Sequence, residues 1–246
     1  MDSTKIKLIS FDLWETLISD NYKINSTKKR NELRVKELKL LFNKYNYEID
    51  KDRIDDSINW ISKRCTQDHN MGIDRPVELR IDELLKYLNL NIENDKFKKE
   101  VLDKLDESFL SSPPQLFKNT KKVLKLLKNN YSICLTSNTG ITSPKTYRKY
   151  LNNIGIIDIF DKIYLSNELF IAKPSSLIFK KIINDFKFKA DQIVHAGDNI
   201  FTDIFGAKKI GIRTVHINKR KSVHNYLNFT PDYTVRDISG LLNFMT

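Results

Sequence analysis

Apolar residues follow two different rhythms along this chain, and the change comes near residue 114. Between residues 27 and 112 they recur at three- and four-residue steps, as on one face of a helix. Leu33, Leu38, Leu41, Phe42 and Tyr45 mark a first predicted helix over residues 30–45. Ile54, Ile58, Trp60 and Ile61 mark a second, and Ile81, Leu84, Leu85 and Leu88 a third. Phe97, Val101, Leu105 and Phe109 mark a fourth at four-residue spacing. Ser111-Ser112-Pro113-Pro114 then breaks the pattern. Beyond it, short apolar runs at 131–136, 162–165, 193–196, 213–217 and 233–235 read as strands. Helical stretches alternate with them at 121–128, 144–151, 176–186, 202–209 and 238–244. Ser175 or Ser176 is placed to cap the third of these, and Gly211 to stop the fourth. One further strand, residues 7–11, precedes the helical block.

Alternating strands and helices imply an α/β fold, a doubly wound parallel sheet with helices on both faces. The first strand is cut off from the others by a long helical stretch, which reads as an inserted all-helical domain. The expected division is a core of residues 1–18 and 114–246 with a helical cap over 19–113. In such sheets ligands sit beyond the carboxyl ends of the strands.

Composition narrows the function classes. The 246 residues are 40% apolar and 30% charged, enough for a core beneath a well-solvated surface. No apolar run reaches membrane-spanning length and the N-terminus lacks a secretory pattern, so a cytoplasmic protein without a membrane partner is expected. Two cysteines make no disulfide framework; Cys134 falls in a strand and Cys65 in a polar helical region. Four scattered histidines offer no zinc spacing. The net charge of +11 invites a nucleic-acid reading, but the basic residues are dispersed and lack interleaved aromatics. Solvated helix faces account for them, and no specific nucleic-acid partner is expected. A monomer or homodimer is expected, with a positive surface that suits an anionic small molecule.

Four places carry candidate chemistry, and each falls after a predicted strand. Asp12 ends the strand 7–11 and is followed by Leu13-Trp14-Glu15-Thr16. A carboxylate there, with Thr16 four residues on, can act as a nucleophile. Ser137-Asn138 directly follows the strand at 131–136; a hydroxyl and the backbone N–H groups that follow suit a phosphoryl oxygen. Lys173-Pro174 offers a fixed ammonium that would keep Asp12 ionised and offset charge on a transferring group. Gly197-Asp198 follows the strand at 193–196, and Asp198 near Asp12 would complete an oxygen site for Mg2+. Asp203 falls at a helix start, as a cap or as an acceptor for Lys173.

Taken in order, Asp12, Ser137, Lys173 and the Asp198/Asp203 pair resemble the four motifs of the haloacid dehalogenase superfamily. That resemblance spans nearly the whole chain. It implies a Rossmann-like core, a helical cap after the first motif, and a covalent intermediate on Asp12. In the phosphatase branch it further implies Mg2+ held by Asp12, the main-chain carbonyl of Trp14 and Asp198. Ser137, Asn138 and Lys173 would hold the phosphoryl group of a small phosphorylated metabolite, with Thr16 and Asp203 behind them.

The match departs in one consequential place. The first motif of the superfamily reads Asp-x-Asp-Gly-Thr, and its second aspartate is Trp14 here. An indole relays no proton, and loss of a general acid–base group costs on the order of 10²- to 10⁴-fold. A phosphatase remains the expected function. The alternatives are a 2-haloacid dehalogenase-like hydrolase, whose relatives carry an aromatic residue at this position, and a catalytically weak phospho-ligand or protein-binding member. Retention of Asp198 weighs against the dehalogenase, because a second anion there would repel a carboxylate substrate. Glu15 and Phe170 stand where relatives carry glycine. Arg34, Arg53, Arg64, Arg75 and Arg80 are the cap's candidates for an anionic substrate, each also readable as a solvated or ion-paired arginine. Gly72 is a candidate for a cap loop facing the site.

Overall fold

The computed structural model describes residues 6–20, 26–219 and 230–245. Strand β1 (Leu8–Phe11) is followed by the two-residue strand β2 (Ile18–Ser19). Next come α1 (Ser26–Lys44), α2 (Lys51–Asn70), α3 (Val77–Tyr87) and α4 (Asp95–Ser111). The chain then returns through β3 (Gln115–Leu116), α5 (Thr120–Lys128), β4 (Ser132–Ser137) and α6 (Pro144–Asn153). It continues with β5 (Lys162–Leu165), the short α7 (Ser166–Leu169), α8 (Ser176–Phe186) and β6 (Ile193–Gly197). A π-helical turn (Ile200–Phe205), α9 (Gly206–Lys208), β7 (Arg213–Ile217), β8 (Tyr233–Val235) and α10 (Leu242–Met245) complete the described fold.

Among the described residues, six strands form a sheet in the order β5-β4-β1-β6-β7-β8, with all pairings parallel. Side chains alternate across it as the pleat requires. Ile9, Phe11, Ile133, Leu135, Val194 and Val215 pack with residues of α5, α6 and α10. Leu8, Cys134 and Ile193 face the other way, onto α8 and α9. The chain is therefore the doubly wound α/β fold that its strand–helix alternation calls for.

The helices α1 to α4 bury a core of their own, built from the periodic apolar positions Leu38, Phe42, Ile54, Ile58, Ile81, Leu84, Phe97 and Leu105. Cys65, expected on a polar helix, is 3% exposed inside this cluster. The fourfold spacing that marked α4 is thus a buried stripe, and α4 packs closely on α1 and α3. Where the chain leaves the sheet and where it returns, β2 and β3 pair antiparallel, Ile18 with Leu116 and Ser19 with Gln115. The two crossings between sheet and helices are therefore tied to each other.

Local chemistry explains several boundaries. Asn94 caps α4 by accepting from Phe97 N, and Ser143 caps α6 by accepting from Thr146 N with Pro144 at its first position. Ser175 caps α8. The expected helix over 202–209 is instead a π-helical turn from Ile200 running into the short α9. Asn199 accounts for the early start: its side chain accepts from Phe201 N and Thr202 N.

Candidate active site

Strand β1 lies between β4 and β6, so three carboxyl ends converge. Asp12 follows β1, and its N–H is held by Ala196 O at 2.9 Å. Ser137 is the last residue of β4, which runs one residue past the strand end expected from sequence. Gly197 closes β6 and delivers Asp198. Lys173 arrives from farther away, on the loop after α7.

The ammonium of Lys173 is the centre of this arrangement. It is 1% exposed and donates to Asp12 Oδ1 at 2.6 Å and to Asp203 Oδ1 at 2.7 Å. The other oxygen of Asp12 accepts from Thr16 Oγ1 at 3.1 Å. The other oxygen of Asp203 accepts from Asn199 N at 3.0 Å, so Asp203, inside the π-helical turn, both ties the head of that turn and holds Lys173. Gly197 is required by this packing: a Cβ there would stand 2.3 Å from Asp203 Oδ2. Ligand oxygens of Asp12, Asp198 and Asp203 all lie within 4.8 Å of one another.

His195 belongs to the same network and carried no sequence signal, lying as it does inside an apolar strand run. Its Nε2 is 3.2 Å from Asp203 Oδ1 and its Nδ1 2.9 Å from Ser10 Oγ, which lies 2.8 Å from Thr136 Oγ1. A polar line therefore crosses β4, β1 and β6 beneath the cluster. Asn138 places Lys173 rather than reaching outward. Its Oδ1 accepts Lys173 N and its Nδ2 donates to Lys173 O, both at 2.8 Å.

Electrostatics sets the groups apart. Burial, with the nearby Asp203 charge, pushes Asp12 up to about 6 against the pull of Lys173. Burial and the charges of Asp12 and Asp203 push Asp198 up to about 8. Burial would raise Asp203 too, but Lys173 and His195 more than reverse it and hold that carboxyl well below the usual range. Burial alone would depress Lys173; Asp12 and Asp203 instead hold it above an ordinary lysine. Burial lowers His195 despite Asp203, favouring the neutral ring.

Trp14 turns into the seam between sheet and helices. Its indole N–H donates to Tyr147 Oη at 3.2 Å, its ring meets Phe109 edge-on at 6.5 Å, and the Arg30 guanidinium lies 5.9 Å from it. Arg30 is fixed there by Asp20 at 2.5 Å and by Ser112 O at 2.9 Å. Of the five candidate arginines, Arg80 and Arg75 are spent on Asp68, Asp74 and Glu83. Arg53 is exposed and Arg64 bonds Gln67. Arg34 is buried, pushed down by burial to about 10, and its Nε has no hydrogen-bond partner among the described residues.

A parallel doubly wound sheet with a lysine set among carboxylates at its carboxyl edge defines the α/β class of this chain and its polar centre. The family description "haloacid dehalogenase-like hydrolase" matches residues 29–217, and the chain belongs to that family. Asp12 lies before the matched stretch, so its place rests on the geometry above. A glyceraldehyde 3-phosphate phosphatase of Pyrococcus furiosus is 29% identical over 131 residues, 51% of this chain. The aligned part is about half of that relative's length, 52%. The protein of the same description from Methanocaldococcus jannaschii is 27% identical over 192 residues, covering 70% of this chain and 84% of its own. Among solved structures, a 2-haloacid dehalogenase from Pseudomonas syringae superposes with a TM-score of 0.72 at 18% identity, covering 97% of both chains. At that identity the likeness is one of fold. No helix among the described residues is long and apolar enough to cross a membrane.

Proposed function

We propose that this hydrolase is a Mg2+-dependent phosphatase of a small phosphorylated metabolite, working through a phosphorylated Asp12. The observation that carries the reading is Lys173 bridging Asp12 and Asp203 while Asp198 stands within the same 4.8 Å cluster. Two carboxylates bind one ammonium with a third beside them, and burial raises the proton affinity of Asp12 and Asp198. That surplus of hard oxygen and negative charge fits a divalent cation. Asp203 is committed to Lys173, His195 and Asn199, so of the three carboxylates Asp12 and Asp198 would hold the ion, joined by the carbonyl of Trp14 that the family resemblance implies. Bound there, Mg2+ would offset negative charge on the phosphoryl oxygens.

The chain's own groups supply the rest. Ser137, the backbone after it and Lys173 hold the phosphoryl group. Asp12 attacks phosphorus, forming a P–O bond as the bond to the alcohol breaks; water then releases phosphate and restores the carboxylate. Lys173 and Thr16 fix the two oxygens of Asp12 for the attack. Trp14 has no proton to give the departing oxygen, so substrates with stable leaving groups are favoured. Residues 19–113 act as a cap over the core of 1–18 and 114–246, selecting the substrate. Relatives described as glyceraldehyde 3-phosphate phosphatases support the substrate class. Cys65 and Cys134, buried and outside any disulfide, suit a cytoplasmic enzyme.

Hydrolysis of p-nitrophenyl phosphate tests the reading. It should require Mg2+, stop with chelator, and fall by at least about 10³-fold in Asp12→Asn, while Trp14→Asp should speed alkyl phosphates by about 10²-fold. An aromatic Trp14 is the one observation favouring carbon displacement instead. Metal-independent halide release from 2-chloropropionate, without phosphate release, would replace the phosphatase by that chemistry.

A further inference from the structure

The turn between α2 and α3, residues 71–76, belongs to the helical insertion but is also hydrogen-bonded to the sheet domain. Ala172 N donates to Gly72 O at 3.1 Å, Ile73 forms an antiparallel bridge with Ile171, and Asp74 N donates to Phe170 O at 3.2 Å. The turn is thereby laid along the segment that delivers Lys173. Gly72 lies at φ +79°, and a Cβ there would come within 2.9 Å of Ser175 Cβ, so the approach admits only glycine.

The side chain of Asp74 reaches farther. It is fully buried and accepts from Ser166 Oγ at 2.5 Å. Ser166 Oγ in turn accepts from Thr139 N at 2.8 Å. A hydroxyl has one proton, and an ionised carboxylate can only accept. Asp74 therefore draws the Ser166 proton to itself and leaves the lone pairs of that oxygen facing Thr139 N–H. Thr139 stands two residues past Ser137, on the loop assigned to the phosphoryl group. Asp74 cannot swing away, because Arg80 Nη2 at 3.0 Å, Arg75 N at 2.8 Å and His69 Nε2 at 2.9 Å brace it from the insertion.

We infer that Asp74 is a positioning residue for phosphate binding, fixing the Ser137 loop through Ser166 while its own turn braces the loop of Lys173. The inference rests on the reading of Ser137 and Lys173 as phosphate ligands. It assigns part of the phosphate site to the insertion, although neither Asp74 nor Ser166 touches the phosphoryl group. A purely structural brace would act on stability and leave phosphate affinity alone. The two roles therefore separate by measurement.

Binding of inorganic phosphate, by calorimetry in Mg2+ buffer, is read for the full chain and its variants alongside thermal unfolding. Ser166→Ala and Asp74→Asn are each expected to weaken phosphate by about tenfold, the worth of one buried hydrogen bond. The double variant should be no weaker than the worse single one, since both break the same chain of contacts. Ser166→Thr, which keeps the hydroxyl, should restore affinity. Tyr45→Phe, which removes a hydrogen bond to Glu100 in the insertion far along the chain from the Asp74 turn, should lower the melting temperature and leave phosphate affinity unchanged. Unchanged affinity in Ser166→Ala, or additive losses in the double variant, would overturn the positioning role. If wild type binds phosphate and the variants lose it, yet no phosphate ester is turned over, the positioning role stands and the phosphatase reading falls. A wild type that binds no phosphate defeats both.

Discussion

Glu15 and Phe170 sit at φ 54° and 59°, in the left-handed region that costs a side-chain-bearing residue roughly 1–2 kcal/mol. Both lie in loops that serve the site, one between Asp12 and Thr16 and the other leading to Lys173. These are also the places where the family resemblance calls for glycine, and the backbone supplies the reason. Phe170 is 52% exposed, so its ring gives back little packing. Phe170→Gly should stabilise the protein by about 1 kcal/mol, raising the melting temperature by about 2–4 °C. A lower melting temperature would show that the Phe170 ring packs more than its exposure implies. At this scale the sequence was legible where a residue's chemistry and its strand-end position coincided, as for Asp12, Ser137, Lys173 and Asp198. His195 was not, because a histidine between Val194 and Ala196 looks like any core residue until Asp203 and Ser10 are brought to it.

Elements were legible in proportion to their length. Helices α1 to α4 announce themselves because each repeats its buried stripe over several turns, and the spacing of Phe97, Val101, Leu105 and Phe109 is a period no strand shares. The pair β2 and β3 has two residues a side, too few for any period, and exists because the crossings between sheet and helices meet. The turn from α2 to α3 was hidden for a related reason. Gly72 marked it, but the partners at 166 and 170–172 lie far along the chain. What holds this turn is an ion cluster: Arg80, with a fully buried side chain, joins Asp68 at 2.8 Å and Asp74 at 3.0 Å. Removing the cation takes the shared buried charge from both carboxylates, leaving Asp68 with Arg75 and Asp74 with His69, Ser166 and Arg75 N. Arg80→Met is therefore expected to cost about 3–5 kcal/mol, read by urea unfolding. A loss below about 1 kcal/mol would mean that water replaces the guanidinium and that the turn is not fixed by charge.

For the molecule as a whole, a chain of net charge +11 folds around a cluster of excess negative charge, and the consequence is a stability that depends on pH and metal together. In metal-free protein Asp198 titrates near 8 and Asp12 near 6, against an ordinary aspartate value of 3.8. Between that value and the raised ones the folded chain keeps protons that the unfolded chain has already released. Stability from these two groups is therefore complete below about pH 4 and is lost as pH rises through about 6 and then about 8. Asp203 runs oppositely: its carboxyl is held low, so its contribution is present above the ordinary value and fades only in acid, outside that window. A divalent cation competes with the protons on Asp12 and Asp198, so stabilisation by Mg2+ should be small near about pH 5.5 and large near about pH 8.5. Melting curves at both pH values, in chelator and in Mg2+, check this. In chelator, Asp198→Asn should flatten the fall of stability with pH and should also lose the response to Mg2+. An equal Mg2+ effect at the two pH values, or one that survives Asp198→Asn, would place the cation away from Asp12 and Asp198. The phosphatase reading would lose its metal site with that result, because no other pair of carboxylates stands beside Lys173 among the described residues.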